Sequence, residues 1–328
     1  MRPPGFWQNP PDSPGWIAQA LSPLGLIYAA GTKRRVTQAP RFTPKIPVVS
    51  VGNLNIGGTG KTPTVIALTE MLSGHAVHIV SRGYGGDAPG PLRVDPTSHN
   101  AQLVGDEPLL LGAFAPTWIS KDRAAGVALA EDAGAEIVLL DDGHQNPSVP
   151  KAMSLVVVDA SLGFGNGQVL PAGPLREPVD AGLARADILV TIGEADAQAV
   201  FDQRWANQIS TPRLKARLEL LETGMDWVGQ KVLAFAGIGH PEKFFRTLRQ
   251  TGADLLRTEA LDDHQPLTDA LMKRLEFEAA ALGAQLVTTE KDAVRLPRSF
   301  QQKVLALPVR LRLERQADMT DRLAALFP

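Results

Sequence analysis

Asn55-Ile56-Gly57-Gly58-Thr59-Gly60-Lys61-Thr62 gathers three glycines, an amine and two hydroxyls into eight consecutive positions. Glycines let backbone N–H groups turn inward with no Cβ in the way, and inward N–H groups cradle anionic oxygens. A lysine closing such a loop can reach outer phosphates, and the hydroxyl after it can ligate magnesium. The pattern points to a nucleoside triphosphate bound with Mg2+, although Asn55 stands where the strict motif has glycine. Further along, Ile137-Val138-Leu139-Leu140 is an apolar run ending in Asp141-Asp142. A carboxylate at the carboxyl end of a parallel strand is where phosphate-loop enzymes hold their metal. Thr62, Asp141 and Asp142 are therefore the metal candidates, with Thr62 and Asp142 expected to hold magnesium.

Two more charged groups could act on a transferring phosphoryl group. Gly105-Asp106-Glu107-Pro108 sets two carboxylates before a helix, where capping and the helix dipole already favour acids. In a functional role, Asp106 accepts a proton from an attacking hydroxyl or orients it. Lys121-Asp122-Arg123 offers a cation for the phosphoryl oxygens, where exposed charges at a helix start are otherwise simply solvated.

Such groups need a strand before the glycine loop and a helix after it, so that the helix's positive end meets the phosphates. Residues 48–51 and 62–72 supply both. Other strand candidates are 77–81, 118–120, 137–140, 155–158 and 188–191, alternating with helix candidates 108–114, 122–133 and 197–205. This alternation predicts an α/β fold with a mostly parallel, P-loop NTPase-like sheet flanked by helices over 46–212. Alternating residues at 214–220 and 309–313 predict two strands that pair as a connector. Between them, strands at 232–235 and 286–289 and helices at 241–250 and 267–281 predict a second, smaller α/β domain within 213–314, with a helix over 315–328.

Residues 1–45 differ in texture, being rich in proline and aromatics, with Lys33-Arg34-Arg35 after an apolar stretch. Trp16, Ala20, Leu24, Ile27 and Tyr28 fall at helical spacing, with Pro23 expected to interrupt or kink the helix. The stretch is shorter than the ~20 apolar residues of a spanning helix. It suits a helix lying in a membrane interface or one packed on the protein's own core. No secretory signal is evident, so the chain is expected to stay in the cytoplasm. A formal net charge of -2 argues against nucleic acid as a partner. The absence of cysteine excludes disulfides, thiolate catalysis and cysteine-held metals.

Taken in order, the motifs resemble the tetraacyldisaccharide 4'-kinase family. They are Val51-Gly52-Asn53-Leu54 with the glycine loop and Pro63, Ser81-Arg82-Gly83-Tyr84-Gly85, Gly105-Asp106-Glu107-Pro108, Lys121-Asp122-Arg123, Asp141-Asp142-Gly143, 170–177 and Thr289-Glu290-Lys291-Asp292. The resemblance implies ATP-dependent phosphorylation of the 4'-hydroxyl of an acylated glucosamine disaccharide 1-phosphate, giving lipid IVA for lipid A. It also implies a peripheral enzyme at the cytoplasmic face of the inner membrane, which favours the interfacial helix, and no obligate protein partner. By the same resemblance Asp106 is the catalytic base and His264 pairs with it. Lys61 and Arg123 act on the phosphates, while Arg82, Tyr84, Glu107, Arg176 and Glu177 line the substrate region. The chain departs from the family pattern at Gly143-His144-Gln145-Asn146 and Leu261-Asp262-Asp263-His264. The alternative of another class is a P-loop regulatory or metal-chaperone NTPase.

Overall fold

The computed structural model describes residues 3–222, 224–262 and 265–327. Among these, two sheets organise the chain. The first nine-stranded sheet contains β1 (Val48–Gly52), β2 (Val77–Ser81), β3 (Leu92–Arg93), β4 (Thr117–Ile119), β5 (Ile137–Asp141), β6 (Met153–Asp159), β7 (Ile188–Ile192) and β8 (Arg213–Leu220). The second contains β9 (Lys231–Ala236), β10 (Asp254–Ala260), β11 (Gln285–Thr289) and β12 (Val304–Leu307); β13 (Val309–Leu313) returns to the first. The helices are α1 (Trp16–Val36), α2 (Lys61–Met71), α3 (Ala101–Val104), α4 (Asp106–Leu111), α5 (Arg123–Asp132), α6 (Val179–Leu183), α7 (Ala195–Trp205), α8 (Pro241–Gln250), α9 (Asp269–Leu282), α10 (Glu290–Ala293), α11 (Arg298–Gln301) and α12 (Gln316–Ala324).

The large sheet runs β13-β8-β7-β6-β1-β5-β2-β4-β3 and is parallel except at its two edges. Strands β1, β2, β5, β6 and β7 are buried along their whole length, as continuous apolar runs covered on both faces must be. Successive residues alternate between the faces. Val49, Leu139, Leu155 and Val157 pack with α2 and α12, whereas Val156, Val158 and Leu189 pack with α6 and α7. Strand β1 lies between β5 and β6, so its outgoing loop opens over the sheet's carboxyl edge where the chain order switches.

The second sheet, β10-β9-β11-β12, is parallel throughout. Helix α8 covers one face through Phe244, Phe245 and Leu248, and α9 covers the other through Met272, Leu275 and Ala279. The two alternating segments do pair, with Leu218 opposite Leu311 in antiparallel register. Strand β8 also pairs with β7, so the connector is the edge of the large sheet as well as the stem of the smaller one. At the stem's tip Leu221 N–H donates to the Pro308 carbonyl at 3.0 Å.

Helix α1 runs on through Pro23 instead of stopping there. It buries only the small residues Ala18, Gly25 and Thr32, one every seven positions. A Cβ on Gly25 would sit 2.9 Å from the Val169 carbonyl, so glycine lets the helix lie close to that loop. Trp16, Leu24, Leu26 and Ile27 face outward. Among the described residues no helix is long and apolar enough to cross a membrane.

Candidate active site

The glycine loop joins β1 to α2, whose first-turn N–H groups have no intrahelical acceptor and so face outward over the sheet edge. Gly57 and Gly60 adopt φ of 102° and 97°. The left-handed angle at Gly60 favours glycine, and a Cβ there would also displace the tip of the Ile192 side chain of β7. Buried Asn53 braces the loop from below, donating to the Gly57 carbonyl at 3.2 Å and to Thr59 Oγ1 at 3.0 Å. Gln145 in turn donates to the Asn53 carbonyl and to Glu177 Oε1, both at 2.9 Å. Asn55 and Ile56 are tied to a neighbouring loop instead. The Asn55 amide donates to the Gly163 carbonyl at 3.1 Å and the Ile56 N–H to the Pro174 carbonyl at 2.8 Å. They frame the cradle, while Gly57, Gly58, Thr59 and Gly60 lead into Lys61 and Thr62 at the helix start.

Lys61 Nζ lies 3.6 Å from Asp142 Oδ1. Arg176 Nη1 reaches both oxygens of the same carboxylate, at 2.9 and 3.0 Å. Burial pushes the Asp142 carboxyl up, but Lys61 and Arg176 outweigh it and hold it below the usual range. Asp142 is the one non-glycine residue with positive φ among those described, at 54°. Its neighbour Asp141 ends β5 only 2% exposed. Burial, with the charge of Glu107 adding to it, pushes the Asp141 carboxyl up to about 6 against the pull of Lys61. Ser81 Oγ donates to Asp141 Oδ2 at 2.8 Å, whereas Oδ1 is buried with no hydrogen-bond partner among the described residues.

Arg123 opens α5 and is buried, donating from Nη1 to the Ser120 carbonyl at 2.6 Å. Burial lowers its basicity, while Asp141 and Asp142 favour its charge and Arg82 opposes it. Arg82 and Tyr84 lie exposed on the loop after β2. Gly105, at φ 90°, fits closely under that loop, because a Cβ there would sit 2.6 Å from the Tyr84 carbonyl. The next residue, Asp106, is 4% exposed and accepts the Glu107 N–H at 3.0 Å. From the second sheet's side, Lys291 Nζ stands 3.2 Å from Glu107 Oε1 and 3.9 Å from Asp106 Oδ2.

Lys61, Asp141, Asp142, Arg123 and Arg176 therefore converge at one sheet edge, with Asp106 and Glu107 beside them. Glu177 faces inward, bound by Arg185 at 2.8 Å and by Gln145, so it braces the Gln145–Asn53 support instead of presenting its carboxylate to solvent. His144 is buried beneath, its Nε2 2.9 Å from the Gly182 carbonyl. Burial and the Arg185 charge push its pKa down to about 4. His264 lies outside the described residues. Three contributors had no role assigned from the sequence: Asn53, Gln145 and Lys291. Asn53 and Lys291 do belong to quoted motifs, and only the tertiary contacts show what they hold.

The family model for Tetraacyldisaccharide-1-P 4'-kinase matches residues 17–328. A protein named tetraacyldisaccharide 4'-kinase from Dinoroseobacter shibae is 60% identical, covering 100% of this chain and 98% of that one. Another of that name from Jannaschia sp. is 56% identical over 96% and 95%. A crystal structure described as the "apo" form of LpxK from Aquifex aeolicus in complex with ATP superposes with a TM-score of 0.77 at 26% identity, covering 95% of this chain and 100% of that one. A phosphate loop, a buried strand-end carboxylate and a near-complete match in length all lead to one assignment: the chain belongs to the tetraacyldisaccharide 4'-kinase family.

Proposed function

We propose that this chain transfers the terminal phosphoryl group of ATP to the 4'-hydroxyl of a tetraacyl-disaccharide 1-phosphate, giving lipid IVA. The observation that carries the reading is the meeting, at one sheet edge, of the Gly57–Thr62 cradle, the buried Asp141 and the Asp106 helix start. Phosphoryl transfer asks a protein mainly for positioning and charge stabilisation. The sugar hydroxyl oxygen attacks the γ-phosphorus, its proton passes to Asp106, and the bond to the bridging oxygen breaks with its electron pair left on ADP. Lys61 and Arg123 hold the phosphate oxygens through the transfer. Arg82, Tyr84, Arg176 and Glu107 lie around the acceptor's approach.

Magnesium held by Thr62 and Asp141 would supply positive charge against the charge developing on the transferring phosphoryl group. The donors present suit it, since a hard cation prefers oxygen and Asp141 Oδ1 is a buried oxygen without a hydrogen-bond partner among the described residues. Both Asp142 oxygens are already engaged by Arg176. Asp141 with Thr62 is therefore the better pair, and Asp142 anchors Lys61 and Arg176.

The acceptor's acyl chains remain in a bilayer, and the outward apolar face of α1, ending in Lys33, Arg34 and Arg35, suits the headgroup region at the cytoplasmic face of the inner membrane. The test is to incubate the purified protein with γ-labelled ATP and an acylated glucosamine disaccharide phosphate. Label is expected in the lipid; label released only as inorganic phosphate would point to a nucleotide switch instead. Asp106→Ala should cut turnover by ~100-fold or more while changing nucleotide affinity little. Near-normal turnover in that variant would remove Asp106 from its role as base.

A further inference from the structure

We infer that Lys291, carried by the second sheet's unit, is a positioning residue for the reaction, holding the Asp106–Glu107 carboxylate pair in place from across the inter-sheet cleft. The inference rests on Asp106 being the proton acceptor.

The surroundings of Lys291 separate its role from that of its neighbours. Thr289 caps α10, accepting the Asp292 N–H at 3.1 Å and donating to Asp292 Oδ2 at 2.8 Å. Asp292 is fully buried and accepts from Gly237 N–H and from Arg295 Nη1, both at 3.0 Å. Glu290 accepts from Arg310 Nη1 at 2.9 Å and from Val309 N–H at 3.2 Å. These three residues fix the short helix to its own unit and to the stem. The Lys291 side chain instead crosses to the first sheet's unit, to Glu107 at 3.2 Å and Asp106 at 3.9 Å. Val294, one turn on, packs against the apolar cluster of Val94, Val104, Leu109 and Ile119, and Arg298 Nη2 donates to the Thr97 carbonyl at 2.6 Å, so the approach is seated by apolar and polar contacts.

Two carboxylates side by side at a helix start repel one another, and an ammonium between them offsets that repulsion and fixes where each points. A base must be ionised and aimed before the hydroxyl arrives, so a cation delivered by the other unit makes the base competent only when the units are docked. As the hydroxyl proton reaches Asp106 and the new oxygen–phosphorus bond forms, the cluster loses its net negative charge, and Lys291 keeps its ionised partner in Glu107.

Merely tying the units together is a different role, and the fold supplies a control for it. Lys243 of α8 crosses the same cleft to pair with Asp159 at the carboxyl end of β6, and donates to Ser161 Oγ at 3.0 Å. The test compares full-length wild type, Lys291→Met, Lys291→Arg and Lys243→Met in steady state with ATP and the acylated disaccharide phosphate in mixed micelles. Lys291→Met is expected to lower kcat by ~30-fold or more with KM for ATP within about threefold of wild type, the signature of a disturbed base. Lys291→Arg should recover most of that loss, and Lys243→Met should keep kcat within about threefold. In an Asp106→Asn background, Lys291→Met should change kcat by less than about threefold, because the two act as one unit. The inference is overturned if Lys291→Met retains kcat within about threefold, if Lys243→Met falls equally far, or if arginine recovers nothing. A wild-type protein that labels no lipid would overturn the proposed function instead.

Discussion

Asp141 and Asp142 are adjacent in sequence yet meet opposite environments. Asp142 holds a left-handed backbone angle of 54°, a conformation that costs a non-glycine residue about 1–3 kcal/mol and persists only where surrounding contacts impose it. Those contacts are Lys61 and Arg176, which hold it charged. Asp141 continues the strand into a dry site where its charge is disfavoured. A divalent cation would relieve that cost at Asp141, whereas Asp142 already has its counterions. Asp141→Asn is thus expected to raise the magnesium concentration for half-maximal activity by ~10-fold or more, and Asp142→Asn by much less. Titrating activity against magnesium at saturating ATP distinguishes them, and a larger effect in Asp142→Asn would return the metal to that residue.

At the scale of elements, α1 joins a small-residue seam to an apolar outer face. The seam of Ala18, Gly25 and Thr32 lets the helix lie flat on the protein, leaving Leu26 and Ile27 each 70% exposed. Removing the whole N-terminal segment would also strip away Trp7, whose carbonyl accepts the Asn166 N–H at 2.9 Å. Point changes are cleaner. Leu26→Glu and Ile27→Glu should leave the melting temperature almost unchanged but lower sedimentation with anionic vesicles by about tenfold or more each, consistent with ~1.5–3 kcal/mol per buried aliphatic side chain. Unchanged sedimentation would count against a membrane-binding role for α1. The sequence showed α1 as apolar but left its facing open, because an amphipathic stripe looks the same whether it meets lipid or core. Strands β1, β2 and β4 to β7 were legible as short apolar runs. The three strands missed, β3, β10 and β12, all lie at sheet edges. There one side is wet, and β10 carries Asp254, Arg257 and Glu259. The phosphate loop was legible because its residues are consecutive and its chemistry local. Lys291 acquired no role because its partners lie 184 and 185 positions away, a distance only topology closes.

In the whole molecule, the smaller sheet is reached and left through one antiparallel pair, β8 and β13, and among the described residues three charged links stand around the cleft and stem. Lys243 meets Asp159, Lys291 meets Glu107, and Arg310 of the stem joins Glu290 to Glu70. Only the Arg310–Glu290 pair is well shielded, so the others are expected to guide orientation more than to add stability. Leu221 and Pro308 already share a hydrogen bond at the tip of that pair, so a tight turn could join them directly. Splicing a two-residue Asn-Gly turn between them in place of 222–307 should yield a chain that still melts cooperatively and binds an ATP analogue, yet transfers nothing to lipid. Loss of folding would mean the guest is integral to its host. A hairpin that tolerates such an exchange is a natural port, through which a nucleotide-binding scaffold could be refitted for another acceptor while its own hydrogen-bond register stays untouched.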